Sequence, residues 1–194
     1  MEAAAESYWK KVCGKMSHSL RLAFGAMITA ISTVIMVLSG IIPIGTYAIP
    51  GLAGAFLIGA VIELGSGWAW AVYAAVSLLA VLLAGDKEAV LCYILLFGCY
   101  PIVKAAIEHK TKKPVQLLLK FVFFNAAAIL EFYLAVYLLH VPQESFVIFG
   151  VNMPWLLLLL GNAIFIIYDY TLSLLVTAYF RKFHSSVSRW LHIH

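Results

Sequence analysis

Apolar residues run along the chain in six long blocks: Leu20–Leu38, Tyr47–Leu64, Trp68–Ala84, Ala89–Ile107, Val115–Leu139 and Trp155–Tyr179. A helix needs about 20 such residues to cross the hydrocarbon core of a bilayer. The blocks are continuous, whereas a membrane barrel needs short alternating strands. The pattern therefore predicts an all-α, polytopic bundle of six transmembrane helices. The third block is the shortest and the last two are the longest. The breaks carry turn chemistry: Gly40 to Gly45 around Pro43, Gly65-Ser66-Gly67, Gly85-Asp86-Lys87-Glu88, the basic stretch Glu108 to Pro114, and a long loop from His140 to Pro154 punctuated by Pro142.

Composition strengthens this picture. Of 194 residues, 64% are apolar and only 11% are charged. A soluble domain carries about 25% charge. With 14% aromatics and a mean hydropathy of +0.99, the chain is also the reverse of a disordered one.

The charges add orientation. Lys10, Lys11, Lys15 and Arg21 precede the first helix, Lys110, Lys112 and Lys113 separate the fourth from the fifth, and Arg181, Lys182 and Arg189 follow the sixth. Six crossings place these segments on one side, and Lys87 is the clear basic residue on the other. The positive-inside rule then predicts both termini in the cytoplasm. Lys104 and Lys120 are near that side, where long side chains snorkel. The expected organisation is a cytoplasmic amphipathic arm over 1–19, with Tyr8 and Trp9 at the interface, a transmembrane domain over 20–180 and a short cytoplasmic tail over 181–194. The first helix is too long, and too poor in a cleavage site, for a cleaved signal. The basic residues are dispersed among loops, which argues against nucleic acid. Cys13 is expected in the arm. Cys92 and Cys99 are seven apart on one helix, about 10 Å along it, too far to bond to each other.

Polar residues inside the spans need an explanation, because ionisable groups there are costly. Asn125 and Glu131 lie in the fifth helix, Asn162 and Asp169 in the sixth. Counted from the basic ends, Asn125 matches Asp169 in depth, at about 15 Å, and Glu131 matches Asn162, at about 24–26 Å. Interhelical hydrogen bonds would explain Asn125 and Asn162, and a cavity spread across a broad face would take both as substrate ligands as well. The two carboxylates point instead to a substrate cavity whose ligand is cationic or rich in donors. Tyr133, Tyr137 and Trp155 are candidate aromatic walls. Glu63, at the basic end of the second helix, is expected at the interface.

Small residues form a second pattern. Ser19, Ala23, Ala26, Ala30 and Thr33 recur at spacings of four and three on one face of the first helix, and Gly51, Ala55 and Gly59 on the second. Such rows let helices approach closely, either within the chain or against another membrane subunit. The chain has no HExxH, no phosphate loop and no metal-ligand spacing. No histidine falls mid-span, and Ser66 has no base nearby in the pattern. These features argue against an enzyme, a catalytic residue or a bound cofactor. The chain also lacks the doubled length of a transporter built from inverted repeats.

The basic arm leads into Leu22-Ala23-Phe24-Gly25-Ala26-Met27-Ile28-Thr29-Ala30-Ile31. The Pro/Gly-rich stretch Ile41-Ile42-Pro43-Ile44-Gly45-Thr46 and a Gly/Ala-rich second helix follow. In layout, length and the Ala26-x-x-x-Ala30 motif, the chain resembles a substrate-binding S-component of the energy-coupling factor (ECF) vitamin transporters. The resemblance implies a multi-pass protein of a prokaryotic plasma membrane that captures a vitamin-like molecule beneath an external lid. It implies docking through Ala26 and Ala30, and with them Ala23, to a transmembrane coupling subunit that works with two cytosolic ATPases. The alternative is a non-transporting membrane scaffold of the rod-shape type, which would use the same small rows and bind no small ligand.

Overall fold

The structure, a computed structural model, describes residues 17–42, 46–138, 147–148, 151–152, 154–179 and 181. Most of the arm, most of the tail, Cys13, and the centres of the first and last loops of the apolar pattern lie outside the described residues. Among the described residues the fold is all-helical apart from one two-rung ladder. In chain order the elements are α1 (His18–Leu38), α2 (Ala48–Leu64), α3 (Ser66–Leu83), α4 (Lys87–Cys92), a π-helical turn (Tyr93–Phe97), α5 (Tyr100–Lys110) and α6 (Lys113–Tyr137). The strands β1 (Val147–Ile148) and β2 (Val151–Asn152) follow, and then α7 (Pro154–Ala178). The strands pair antiparallel in the loop before α7.

Five stretches are long and apolar enough to cross a membrane: α1, α3, the combined span Lys87–His109, α6 from Pro114, and α7 from Leu158. The sixth apolar helix, α2, has 17 residues and is shorter than α3, so the second block and not the third is the short one. Large apolar side chains such as Leu22, Val34, Leu82, Leu118 and Ile167 face outward. In water that surface would be a liability; in lipid it is the solvated face.

Local chemistry sets the helix ends. Ser17 caps α1, its hydroxyl accepting from the Leu20 amide at 3.3 Å. Asp86 caps α4 by accepting from the amides of Glu88 and Ala89. Lys87 turns back and donates to the carbonyls of Val81 and Ala84 at the end of α3. The charged turn expected between the third and fourth helices thus serves both of its helices.

The short helix α2 is the centre of the bundle. It is buried over most of its circumference and belongs to both apolar cores. In one core Ala53, Leu57, Ala60 and Leu64 meet α1, α3 and α4. In the other, Ile58 and Ile62 join Leu96, Tyr100, Phe124, Phe165 and Leu172. The glycine row of α2 packs inside the chain. Gly51 faces Phe97 and Tyr168, and Gly59 faces Ile28.

The fourth block does not form one regular helix. Pro101 has no N–H to give the Phe97 carbonyl, and its ring crowds that oxygen. The chain answers with the π turn, closed by the Gly98 amide on the Tyr93 carbonyl at 2.7 Å. The Phe97 carbonyl is thereby turned toward Gly54 of α2. A Cβ at position 54 would collide with the Phe97 oxygen and lie 2.8 Å from its carbonyl carbon, with the Tyr168 hydroxyl at 3.2 Å. Gly54 is therefore the point where two backbones touch.

Gly54→Ala should destabilise the protein by about 1–3 kcal/mol, as overpacking does. Gly67, whose added Cβ would meet nothing within 4 Å, should accept alanine without loss. Thermal denaturation of both variants in detergent checks the pair, and equal midpoints would remove the close contact from the account.

Candidate functional site

The polar side chains of the last three helices meet, but not in the pairs that depth alone suggests. Asn125 of α6 pairs with Asn162 of α7. Each amide nitrogen donates to the other's oxygen at 3.0 Å, and each also donates to the carbonyl four residues back at 2.8 Å. Asp169 lies lower on α7, opposite Lys120. The match of Asn125 with Asp169, and of Glu131 with Asn162, is thus corrected by about a turn and a half. Counting residues from the helix ends assumes that the ends are level, whereas stacking of Phe124 on Phe165, centroids 4.5 Å apart, sets the actual register.

Around Asp169 the structure builds a charge cluster. Lys104 of α5 donates to the Asp169 carboxylate, to its backbone carbonyl at 3.3 Å and to the Ser173 hydroxyl at 2.9 Å. Lys120 of α6 meets both Asp169 oxygens at 3.1 Å. Tyr100 donates its hydroxyl to Asp169 at 2.6 Å. Glu108, one turn beyond Lys104, accepts from Lys104 at 3.0 Å and from Lys120 at 2.6 Å. Two lysines and two carboxylates thus form a formally neutral group joining α5, α6 and α7.

Lys104 and Lys120 are only 5% and 6% exposed. They do not snorkel. Snorkelling is favoured where no anion is at hand, and here two carboxylates lie within reach inside the bundle. Glu63 departs from expectation for a similar reason. It is 1% exposed, not interfacial, and accepts a hydrogen bond from Tyr179 at 2.8 Å.

Glu131 is away from this cluster, toward the opposite end of the bundle. It lies on the side of Cys92. Nearby, Tyr47 donates to Glu88 at 2.7 Å and Thr46 to Asp86 at 2.9 Å, tying the start of α2 to the start of α4. Tyr133 and Tyr137 stack on one another, centroids 6.1 Å apart, on the exposed face of α6. The Trp155 side chain lies outside the described residues. Cys92 and Cys99 are buried free thiols.

The structure therefore does not gather the seven candidate ligand residues into one place. It brings Asn125 and Asn162 together, links Asp169 to lysines, and leaves Glu131 at the other end. Tyr100, Lys104, Lys120 and Ser173 were the partners that composition alone did not single out. The available signal was Lys104-x-x-x-Glu108, which puts both charges on one helix face.

Between Leu96 and the aromatic side chains Phe97, Tyr100, Phe124, Phe165 and Tyr168 a cavity of about 10 Å³ remains, room for one water at most.

Removing one member of the cluster leaves a buried charge without its counter-ion. Asp169→Asn should cost about 3–5 kcal/mol. In the double variant Lys104→Met/Asp169→Asn, Lys120 and Glu108 remain balanced. It should lose less than the sum of the single changes, with a coupling of about 0.5–3 kcal/mol. Chemical denaturation in detergent measures all three, and strict additivity would dissolve the network into independent contacts.

No family model, curated protein or solved structure compared with the chain matches it.

Proposed function

We propose that this protein is the substrate-binding membrane subunit of a micronutrient uptake system of the ECF S-component kind, docking to a separate coupling subunit through the outer face of α1. The observation that carries the proposal is the position of the small row. Ser19, Ala23, Ala26 and Ala30 are exposed, while Gly25, Ile28, Ser32 and Met36 turn inward against α2 and α3. Thr33, last in the row, is buried. A helix face that meets only lipid gains nothing from alanines, since lipid tails solvate large apolar side chains equally well. A row of small side chains between Leu22, Met27 and Val34 makes a shallow trough into which a second helix can settle. The inward face is already filled by the chain itself.

The ligand side of the proposal rests on Glu131. Asp169 is engaged by two lysines, so a cationic or donor-rich ligand would be read at the opposite end, by Glu131 and the neighbouring Tyr47 and Glu88. Both termini would then be cytoplasmic, with the Glu131 end open to the outside, and energy would come from partner ATPases.

The second proposal is the scaffold. It draws on the same outward row and on the separation of the candidate ligand residues, with Asp169 held by two lysines and Glu131 away from it.

Two experiments separate them. Ala26→Trp and Ala30→Trp should fold normally, because both positions are exposed. They should lower co-purification with the coupling subunit and ATPases by about tenfold; undiminished assembly with normal uptake would end the docking proposal. A thermal-shift screen of the intact protein against vitamins should give a ligand whose affinity falls by about tenfold in Glu131→Gln. A screen without any hit, with partner binding intact, would favour the scaffold.

A further inference from the structure

A groove of about 300 Å³ opens on the outer surface between α3, α5 and α6. Trp70, Ile102, Ala106, Ile107 and Leu119 give it apolar walls, and Ser66 and Thr111 mark its polar mouth. From Thr111 to Ile102 is nine residues of α5, about 14 Å along the helix. That is about half of the 30 Å hydrocarbon core, the depth of one leaflet. Trp70 is 45% exposed at this level, where a ring with one polar edge suits the membrane interface.

The mouth is electrostatically incomplete. Lys110 ends α5, Lys113 begins α6, and Lys112 between them is exposed in the N-cap position of α6. Lysine is a poor residue there. It offers no acceptor to the first amides of the helix, and it adds positive charge to the positive end of the helix dipole. The structure gives α6 no side-chain cap, and α3, which starts at Ser66 on the same mouth, has none either. The nearby carboxylate Glu108 is committed to Lys104 and Lys120, and that cluster is already neutral. The exposed Lys112 and the uncapped start of α3 thus stand beside one opening, at the head of an apolar trough one leaflet deep.

We propose that this groove binds an anionic phospholipid. One acyl chain lies along Trp70, Ile102, Ala106, Ile107 and Leu119, and the phosphate lies at the mouth against Lys112 and the first-turn amides of α3. A free anion would use the mouth but not the trough. A neutral lipid would use the trough but not the charge. The combination is specific to a chain bearing a negative headgroup.

Native mass spectrometry of the delipidated full chain, with phosphatidylglycerol or phosphatidylcholine of identical acyl chains added, tests the proposal. Phosphatidylglycerol should be retained about fivefold better, the effect of one lysine near a phosphate. Lys112→Glu should remove that preference while leaving a weak association common to both lipids. Ala106→Trp, which fills the trough at an exposed position, should lose both lipids. Leu82→Trp, on the exposed surface at the far end of α3, should bind as the unaltered protein does. Equal retention of the two lipids, or unchanged retention in Ala106→Trp, would overturn the proposal. So would protection against thermal unfolding by inorganic phosphate alone that matched the protection by phosphatidylglycerol, because the mouth would then be a simple anion site.

Discussion

Two lysines inside an apolar bundle set the terms for the helices around them. An ammonium group in a medium of low dielectric cannot be left alone, so Lys104 and Lys120 must each find a carboxylate. Asp169 and Glu108 supply two, and their positions oblige α5, α6 and α7 to share one level. Once Lys120 sits at Asp169, the remaining contacts between α6 and α7 follow in antiparallel order. Phe124 reaches Phe165 and Asn125 reaches Asn162. The asparagine pair is self-complementary and would tolerate a slip only at the loss of both bonds. Neutral polar pairs strengthen a packing that the charges have already chosen.

The other half of the bundle is held by closeness of backbones. α2 carries Gly51, Gly54 and Gly59 on surfaces that meet Phe97, Tyr168 and Ile28. It is too short to face lipid along its length and has little need to, because neighbours surround it. The irregular span beside it is complementary. Pro101 disturbs the helix, the π turn absorbs the disturbance, and Gly54 makes room for the displaced carbonyl. Tyr168 then fastens α7 to the same place by donating to the Gly51 carbonyl at 3.3 Å. The two organising devices therefore meet on α7, at the consecutive residues Tyr168 and Asp169.

The number and placement of helices were legible in the sequence, because a bilayer demands long apolar blocks and turns demand Gly, Pro, Asp and Lys. The outward position of Ala23, Ala26 and Ala30 was legible only as a shared face; which way the face points depends on α2 and α3. The π turn could have been suspected from Gly98 and Pro101, since proline removes a donor, but the widening of the preceding turn is a tertiary accommodation. Asp169 stands out in the sequence as an ionisable group within a span, which points to a ligand, whereas the structure pairs it with lysines. Its partners were hidden because Lys104 and Lys120 lie close enough to the basic end to pass for interfacial residues. The depth of Asn162 was misjudged because apolar ends of helices carry no mark of where the membrane begins.

Glu108 has a consequence for how the chain is made. Membrane helices enter the bilayer in the order of synthesis, so α5 and α6 arrive before α7 brings Asp169. During that interval both lysines would face hydrocarbon without their central counter-ion. Glu108 already touches both of them, from the same helix as Lys104 and across one tight turn from Lys120. The α5–α6 hairpin thus travels with a carboxylate of its own, which shields the lysines until the last helix closes the bundle.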